Sequence, residues 1–302
     1  MDYDVAVIGA GPGGLVSALY LRRFMRSTIV ASAGPPRAAW IPKTHNLLGY
    51  RTGISGEEIL LRLNSQLDDL GVARSVGECR VDAIARGFRI SCGKKTYTAQ
   101  RVILATGICD VQPSLKNLVR LRKAGLLRYC PVCDAYEYRN KKILVLAQDA
   151  HGLRAASFLS GFSRRVSVLW PRAGKLPARL AKTRTWRGGP LIVGSLVSID
   201  EDDGGLEVRF DDERDRRRTA RYDAVYVELG STINDSAFRH LKKIERDEDG
   251  AILVGSHQET GHPGIYAVGD CVSGLSQIAV AAGQAAIAAT HIHNQLRQGR
   301  GR

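Results

Sequence analysis

Residues 4–32 constrain this chain more than any other stretch. "DVAVI" at 4–8 is short, β-branched and apolar throughout, the pattern of a strand buried on both faces. "GAGPGG" follows as a turn, "LVSALYLRRF" has helical amphipathicity, and "TIVAS" at 28–32 is a second buried strand. A strand, a tight glycine turn, a helix and a parallel strand make a βαβ unit. Each glycine has its own task. Gly9 permits the tight turn, Gly11 lets bare backbone approach a pyrophosphate, and Gly14 lets helix and strand pack closely. The helix N-terminus then offers free amides and a positive dipole end to phosphates. The element is read as a dinucleotide cradle, against the alternative of a glycine-rich turn with no ligand. One usual part differs. The acidic residue that commonly holds the adenosine ribose is replaced by Ser32, whose hydroxyl keeps part of that capacity.

The same pattern recurs at "ILVLAQDAHGLRAASFLSGF", residues 143–162, but its three glycine slots read Ala147, Asp149 and Gly152. "RVILATG" (101–107), "RVSVLW" (165–170) and "YDAVYVELGS" (222–231) read as further strands. "GIYAVGDCVSG" (264–274) and the helix "QIAVAAGQAAIAATHIHNQL" return the chain to the first unit. The organisation expected is therefore α/β: two Rossmann-like domains, the second inserted in the first. The first comprises 1–108 and 236–302, and the second 109–235.

With 302 residues, 44% apolar and 25% charged, the chain can build two cores. No apolar run is long enough for a membrane span, and no secretory signal pattern opens the sequence. The expected compartment is the cytoplasm, with no membrane association. The net charge of +14 admits a solvated basic surface, an acidic protein partner or nucleic acid. Nucleic acid is the weakest of these, because the basic residues are scattered, "RDRRRTARY" sits among acids, and no recognition motif accompanies them. "RQGRGR" reads as a disordered end.

Six cysteines are present. Cys79, Cys92, Cys109 and Cys271 are scattered in sequence and read as buried small hydrophobes. "CPVCD" admits three readings: a zinc site, inert thiols or a redox disulfide. Zinc wants four ligands, and there is no second pair. His291 and His293 are two apart on a helix and do not share a face. The two-residue spacing suits a disulfide across one turn at a helix start, where the dipole favours thiolate. Redox chemistry is the preferred reading, and no metal is expected.

Taken together, "GAGPGG", "ILATG", "CPVCD" and "GIYAVGD", in this order and spacing, resemble the low-molecular-weight thioredoxin reductases over nearly the whole chain. The resemblance implies two three-layer ββα domains of the FAD/NAD(P) type, the cysteines lying in the second, and a homodimer. It implies FAD held by Gly9, Gly11, Pro12, Gly14 and Ser32, with Val81 and the run Ala105, Thr106 and Gly107 along its length. "HNLLGY" places Asn46 beside the isoalloxazine. Gly269 and Asp270 would hold the ribityl–phosphate portion, and Gln277 and Ile278 the pyrimidine edge. Asp270 also reads as a plain helix cap. The family's arginine beside the glutamine is Ser276 here. Cys133 would face the flavin, Cys130 would exchange with the partner disulfide, and Asp134 would move the proton, or else act only as a helix-end charge.

The family's second cradle holds NADPH with glycines and an arginine pair. Here Asp149 stands at the closest-approach position, and "WPR" (Trp170, Pro171, Arg172) replaces His-Arg-Arg. Both departures disfavour NADPH. The resemblance is therefore to the atypical members that do not use it, the ferredoxin-dependent and deeply rooted groups. The expected function is disulfide reduction by a donor other than NADPH, ferredoxin being one such donor, through FAD and Cys130–Cys133 to a thioredoxin-like protein or small disulfide. A dithiol oxidase using dioxygen and a flavin-binding redox sensor are the alternatives.

Overall fold

A computed structural model describes residues 1–172, 174, 185, 186 and 189–298. Of "RQGRGR", Arg297 and Gln298 are helical, against the expected disorder, and residues 299–302 lie outside the described residues. The first sheet is built on β1 (Tyr3–Ile8), β2 (Thr28–Ser32), β3 (Ala73–Val76), β4 (Cys79–Ala83), β5 (Phe88–Cys92) and β6 (Lys95–Leu104), in the order β3-β2-β1-β6-β5-β4. β3, β2, β1 and β6 run parallel, and β6-β5-β4 is an antiparallel meander. A late strand, β17 (Ile265–Ala267), pairs with β6. Helix α1 (Pro12–Arg23) packs against α2 (Gly56–Asp69) and against the long C-terminal α6 (Ile278–Gln298).

β1 is central, and Val5, Ala6 and Val7 are fully buried, which is why this strand is apolar on both faces. Gly14 meets its expected requirement: a Cβ there would stand 2.0 Å from the Gly9 carbonyl oxygen. Gly9 itself has φ +116°, a conformation that side chains resist.

The second sheet has a parallel centre of β12 (Gly189–Asp202), β10 (Val166–Trp170), β9 (Ile143–Ala147), β15 (Ala224–Glu228) and β8 (Leu127–Arg128). Antiparallel β13 (Gly205–Asp212) and β14 (Arg217–Tyr222) extend it, and the short β11 (Thr185–Trp186) pairs with β12. Helix α5 (Ala150–Ser160) follows β9, while the short α3 (Leu118–Lys123) and α4 (Pro131–Asp134) precede it. β7 (Ile108–Asp110) and β16 (Ser231–Ile233) form a two-stranded ribbon. The expected joint at 108/109 falls within β7 of that ribbon, and the one at 235/236 falls just after β16. Four of the five arginines of "RDRRRTARY" are paired with acids: Arg217 with Asp211, Arg216 and Arg218 with Asp212, and Arg221 with Asp202.

Candidate active site

A cavity of about 500 Å³ opens where β1, β2 and β6 end and α1 and α6 begin. Its size is that of an ordinary ligand site. Gly9, Gly11, Pro12, Ser32, Asn46, Ala105, Thr106, Gly107, Gly269, Asp270, Gln277 and Ile278 all line it, as does Cys133. Gly14 lies behind the wall, in the packing position just described. Val81 is not on the cavity wall. It is fully buried in the sheet core, its amide donates to the Ala237 carbonyl, and Glu78 and Cys79 form the wall instead.

The cavity suits a flavin dinucleotide. The N-cap of helix α1 is Gly11, which has no side chain to satisfy the first amides, so these remain free for a phosphate. A Cβ at Gly11 would meet only Pro36, so its side chain would project into open space where a ligand belongs. Among the described residues the buried Thr106 hydroxyl has no hydrogen-bond partner, so it can take one from a ligand. Asp270 is pushed above the ordinary carboxylate range by burial, Arg37 opposing from 3.7 Å. Arg37 also clamps Asp110, with Nε 2.6 Å and Nη2 3.0 Å from the carboxylate. Neither Arg37 nor Asp110 belongs to a motif, and sequence reasoning missed both. Gly11→Asp should weaken FAD retention at least tenfold. Two unit charges about 4 Å apart repel by roughly 4 kcal/mol at an effective dielectric near 20, and a third of that is about a factor of ten. Equilibrium dialysis of the folded variant checks this, and undiminished retention would count against the cradle.

Cys130 and Cys133 are joined by a disulfide across the start of α4, their Cα atoms 5.3 Å apart. Cys133 stands on the cavity wall, and Cys130 is not among the wall residues. A polar relay reaches both sulfurs. Thr44 Oγ1 donates to Asn46 Oδ1 (2.6 Å), and Asn46 Nδ2 donates to Gln277 Oε1 (2.9 Å). Gln277 Nε2 points at both sulfurs from 3.4 Å. On reduction that amide favours thiolate over thiol. The resemblance placed Gln277 at the pyrimidine edge; its side chain also reaches the disulfide.

Asp134 is buried behind the pair. Tyr226 donates to Oδ1 at 2.6 Å and Arg128 Nη1 to Oδ2 at 3.0 Å. Burial raises this carboxyl above its usual value, and Arg128 opposes the rise. Among the described residues no hydrogen bond joins the carboxylate to either sulfur. Tyr226 is a tyrosine in a fully buried strand, which is itself a sign of a hidden hydroxyl partner.

The second cradle departs from the first at each altered position. Ala147 simply continues β9, whereas Gly9 lies beyond β1 in a left-handed turn. Gly152 keeps the packing role, since a Cβ there would lie 2.5 Å from the Ala147 Cβ. Asp149 is the N-cap of α5, and its Oδ1 accepts from the Gly152 amide at 2.9 Å. The helix end thus carries its own carboxylate where the first cradle offers free amides. Glu228, buried at the end of β15, adds a second acid, 3.5 Å from His151 Nε2. Trp170 is in the core, and Arg172 is held by Asp215 at 2.5 Å and by the Asp212 carbonyl.

Two dinucleotide-type domains with a disulfide facing the first cavity define a class: flavin-linked disulfide oxidoreductases. A family model described as "Pyridine nucleotide-disulphide oxidoreductase" matches residues 3–285, and the chain belongs to that family. It is 28% identical to the thioredoxin reductase of Peptoclostridium acidaminophilum, over 95% of each chain. The thioredoxin reductase of Streptococcus pyogenes MGAS5005 shares its fold, with a TM-score of 0.88, 24% identity and 98% of each chain covered. That of Giardia duodenalis superposes with a TM-score of 0.85 at 23% identity, over 98% of this chain and 99% of its own. The protein is a flavin-dependent disulfide oxidoreductase of thioredoxin-reductase type. No helix among the described residues is long and apolar enough to cross a membrane.

Proposed function

We propose that the protein reduces a disulfide partner with electrons from a donor other than NADPH. The observation that carries this reading is the contrast between the cradles: a disulfide opens onto the first, and the helix end of the second is capped by Asp149. Bound FAD supplies a two-electron relay between donor and disulfide. Cys133, on the cavity wall, is the sulfur that would take the electron pair, with the Cys130–Cys133 bond breaking and Cys130 leaving as the thiolate. Gln277 holds the resulting charge. Cys130 attacks the partner disulfide, and Cys133 then displaces the mixed disulfide, restoring the Cys130–Cys133 bond and releasing a partner dithiol. Val132 and Tyr136, exposed beside the pair, offer apolar surface to a thioredoxin-like protein. The positive net charge suits an acidic donor of ferredoxin type. A homodimer is proposed from the family resemblance.

Anaerobic titration of the bound flavin with NADPH, NADH and reduced ferredoxin in parallel tests the reading. Bleaching by ferredoxin alone is expected. Bleaching only by a small dithiol, with peroxide formed under air, would replace it with the oxidase alternative.

Asp134 is proposed as the proton carrier for the cysteine pair. Arg128→Gln removes the charge that opposes burial, so the Asp134-dependent limb of the pH–rate profile should move to higher pH. Asp134→Asn should abolish that limb with FAD still bound. An unshifted profile in both would leave Asp134 a structural anchor to Tyr226. The folded state holds this proton more tightly than the unfolded chain. Stability therefore falls as pH rises from the ordinary carboxylate value through the raised one, and Asp134→Asn should flatten that slope.

A further inference from the structure

Cys79 and Cys92 are far apart in the reading of inert buried thiols, and the structure corrects it. Cys79 is half-buried and Cys109 exposed; only Cys92 and Cys271 are buried. Cys79 and Cys92 stand directly opposite each other on β4 and β5, with Sγ atoms 2.9 Å apart. That is well inside the contact distance of two unbonded sulfurs. Their neighbours Glu78 and Gly93 carry the ladder bond, Gly93 N to Glu78 O at 3.0 Å. The cysteines therefore occupy a non-hydrogen-bonded pair, where Cα atoms lie about 4.5 Å apart and side chains come closest. That spacing falls within the range a disulfide spans. The Gly77 carbonyl is 3.3 Å from each sulfur, and Gly77 must be glycine, since a Cβ would lie 2.7 Å from the Gly93 amide nitrogen.

We propose that Cys79 and Cys92 form a reversible cross-strand disulfide, a second redox site oxidised by hydroperoxides. Cys79 is the attacking group because it is only half-buried, while Cys92 is closed in. Its thiolate attacks the peroxide O–O bond. A sulfur–oxygen bond forms, the O–O bond breaks, and with one proton a first water leaves. Cys92 then attacks the sulfenic sulfur, the S–S bond forms, and the oxygen departs as a second water. Two thiols are oxidised by two electrons, and one hydrogen peroxide is reduced to two waters. Burial, with the neighbouring thiol, holds Cys79 far above its ordinary value, so oxidation is slow at neutral pH and quickens as pH rises. β4 is an edge strand of the first sheet, so the bond ties that edge to its neighbour beside the cavity wall.

Trypsin places the two cysteines in separate peptides, SVGECR and ISCGK. The FAD-loaded protein is reduced with dithiothreitol, desalted, treated with excess hydrogen peroxide, blocked with N-ethylmaleimide during denaturation, digested and analysed by mass spectrometry. The expected product is SVGECR joined to ISCGK, lost on renewed reduction and formed equally in Cys109→Ser. Two maleimide-blocked peptides, a Cys79 sulfinate without cross-link, or a cross-link that vanishes in Cys109→Ser would each overturn the proposal.

Discussion

Cys130→Ser and Cys133→Ser will each remove disulfide reduction by on the order of 10³-fold or more, the scale on which loss of a nucleophile acts, yet they will differ in colour. In Cys130→Ser the remaining sulfur is Cys133, which stands on the cavity wall under the Gln277 amide. A thiolate held there, beside a bound flavin, should give a long-wavelength charge-transfer band. In Cys133→Ser the remaining sulfur, Cys130, is off the wall, and no band should appear. Absorbance spectra of the two FAD-loaded variants across pH decide the matter. The reverse pattern would exchange the two roles, and no band in either would argue that these thiols never meet the flavin. Gln277→Leu in the Cys130→Ser background should move the onset of the band to higher pH, because the thiolate loses its donor.

The first cradle was readable because its physics is local. Gly9, Gly11 and Gly14 act within one strand–turn–helix, and the required strand and helix flank them in sequence. The spoiled second cradle was legible for the same reason, since Asp149 occupies a defined slot. What sequence could not give was the outcome of long-range packing. Arg37 reaches Asp110 across 73 residues, and Tyr226 reaches Asp134 across 92. Neither pair leaves a periodic trace. Cys79 and Cys92 were read as unrelated because 13 residues separate them, but a hairpin register sets them face to face. Val81 came from the resemblance alone; it lies in the sheet core, two residues along β4 from Cys79, which lines the cavity. Glu228 was hidden inside an otherwise apolar run, and its partner His151 becomes a neighbour only through the parallel pairing of β15 with β9.

Excess NADPH, mixed with the FAD-loaded protein under argon, should leave the flavin oxidised over the interval in which ordinary reductases turn over, at about 1–1000 per second. The cause is an occupied anion site. Asp149 already accepts the α5 amide that a pyrophosphate would need, and its charge opposes an incoming phosphate by up to roughly 4 kcal/mol. Glu228 adds to that field, and Arg172 is committed to Asp215 and the Asp212 carbonyl. Repair separates these contributions. Ala147→Gly with Asp149→Gly frees the helix end, and glycine at an N-cap costs only a few tenths of a kcal/mol, so the variant should stay folded. It should gain measurable nucleotide binding by fluorescence or calorimetry. It should not prefer NADPH over NADH, because no arginine is released to grip a 2′-phosphate. A repaired protein that binds NADPH selectively would show that Arg172 leaves its hairpin partners readily. One that binds neither nucleotide would move the obstruction from Asp149 to Glu228, and Glu228→Gln in the repaired background would then be the change that opens the site. Rapid bleaching of the natural sequence by micromolar NADPH would overturn the whole reading of the second cradle.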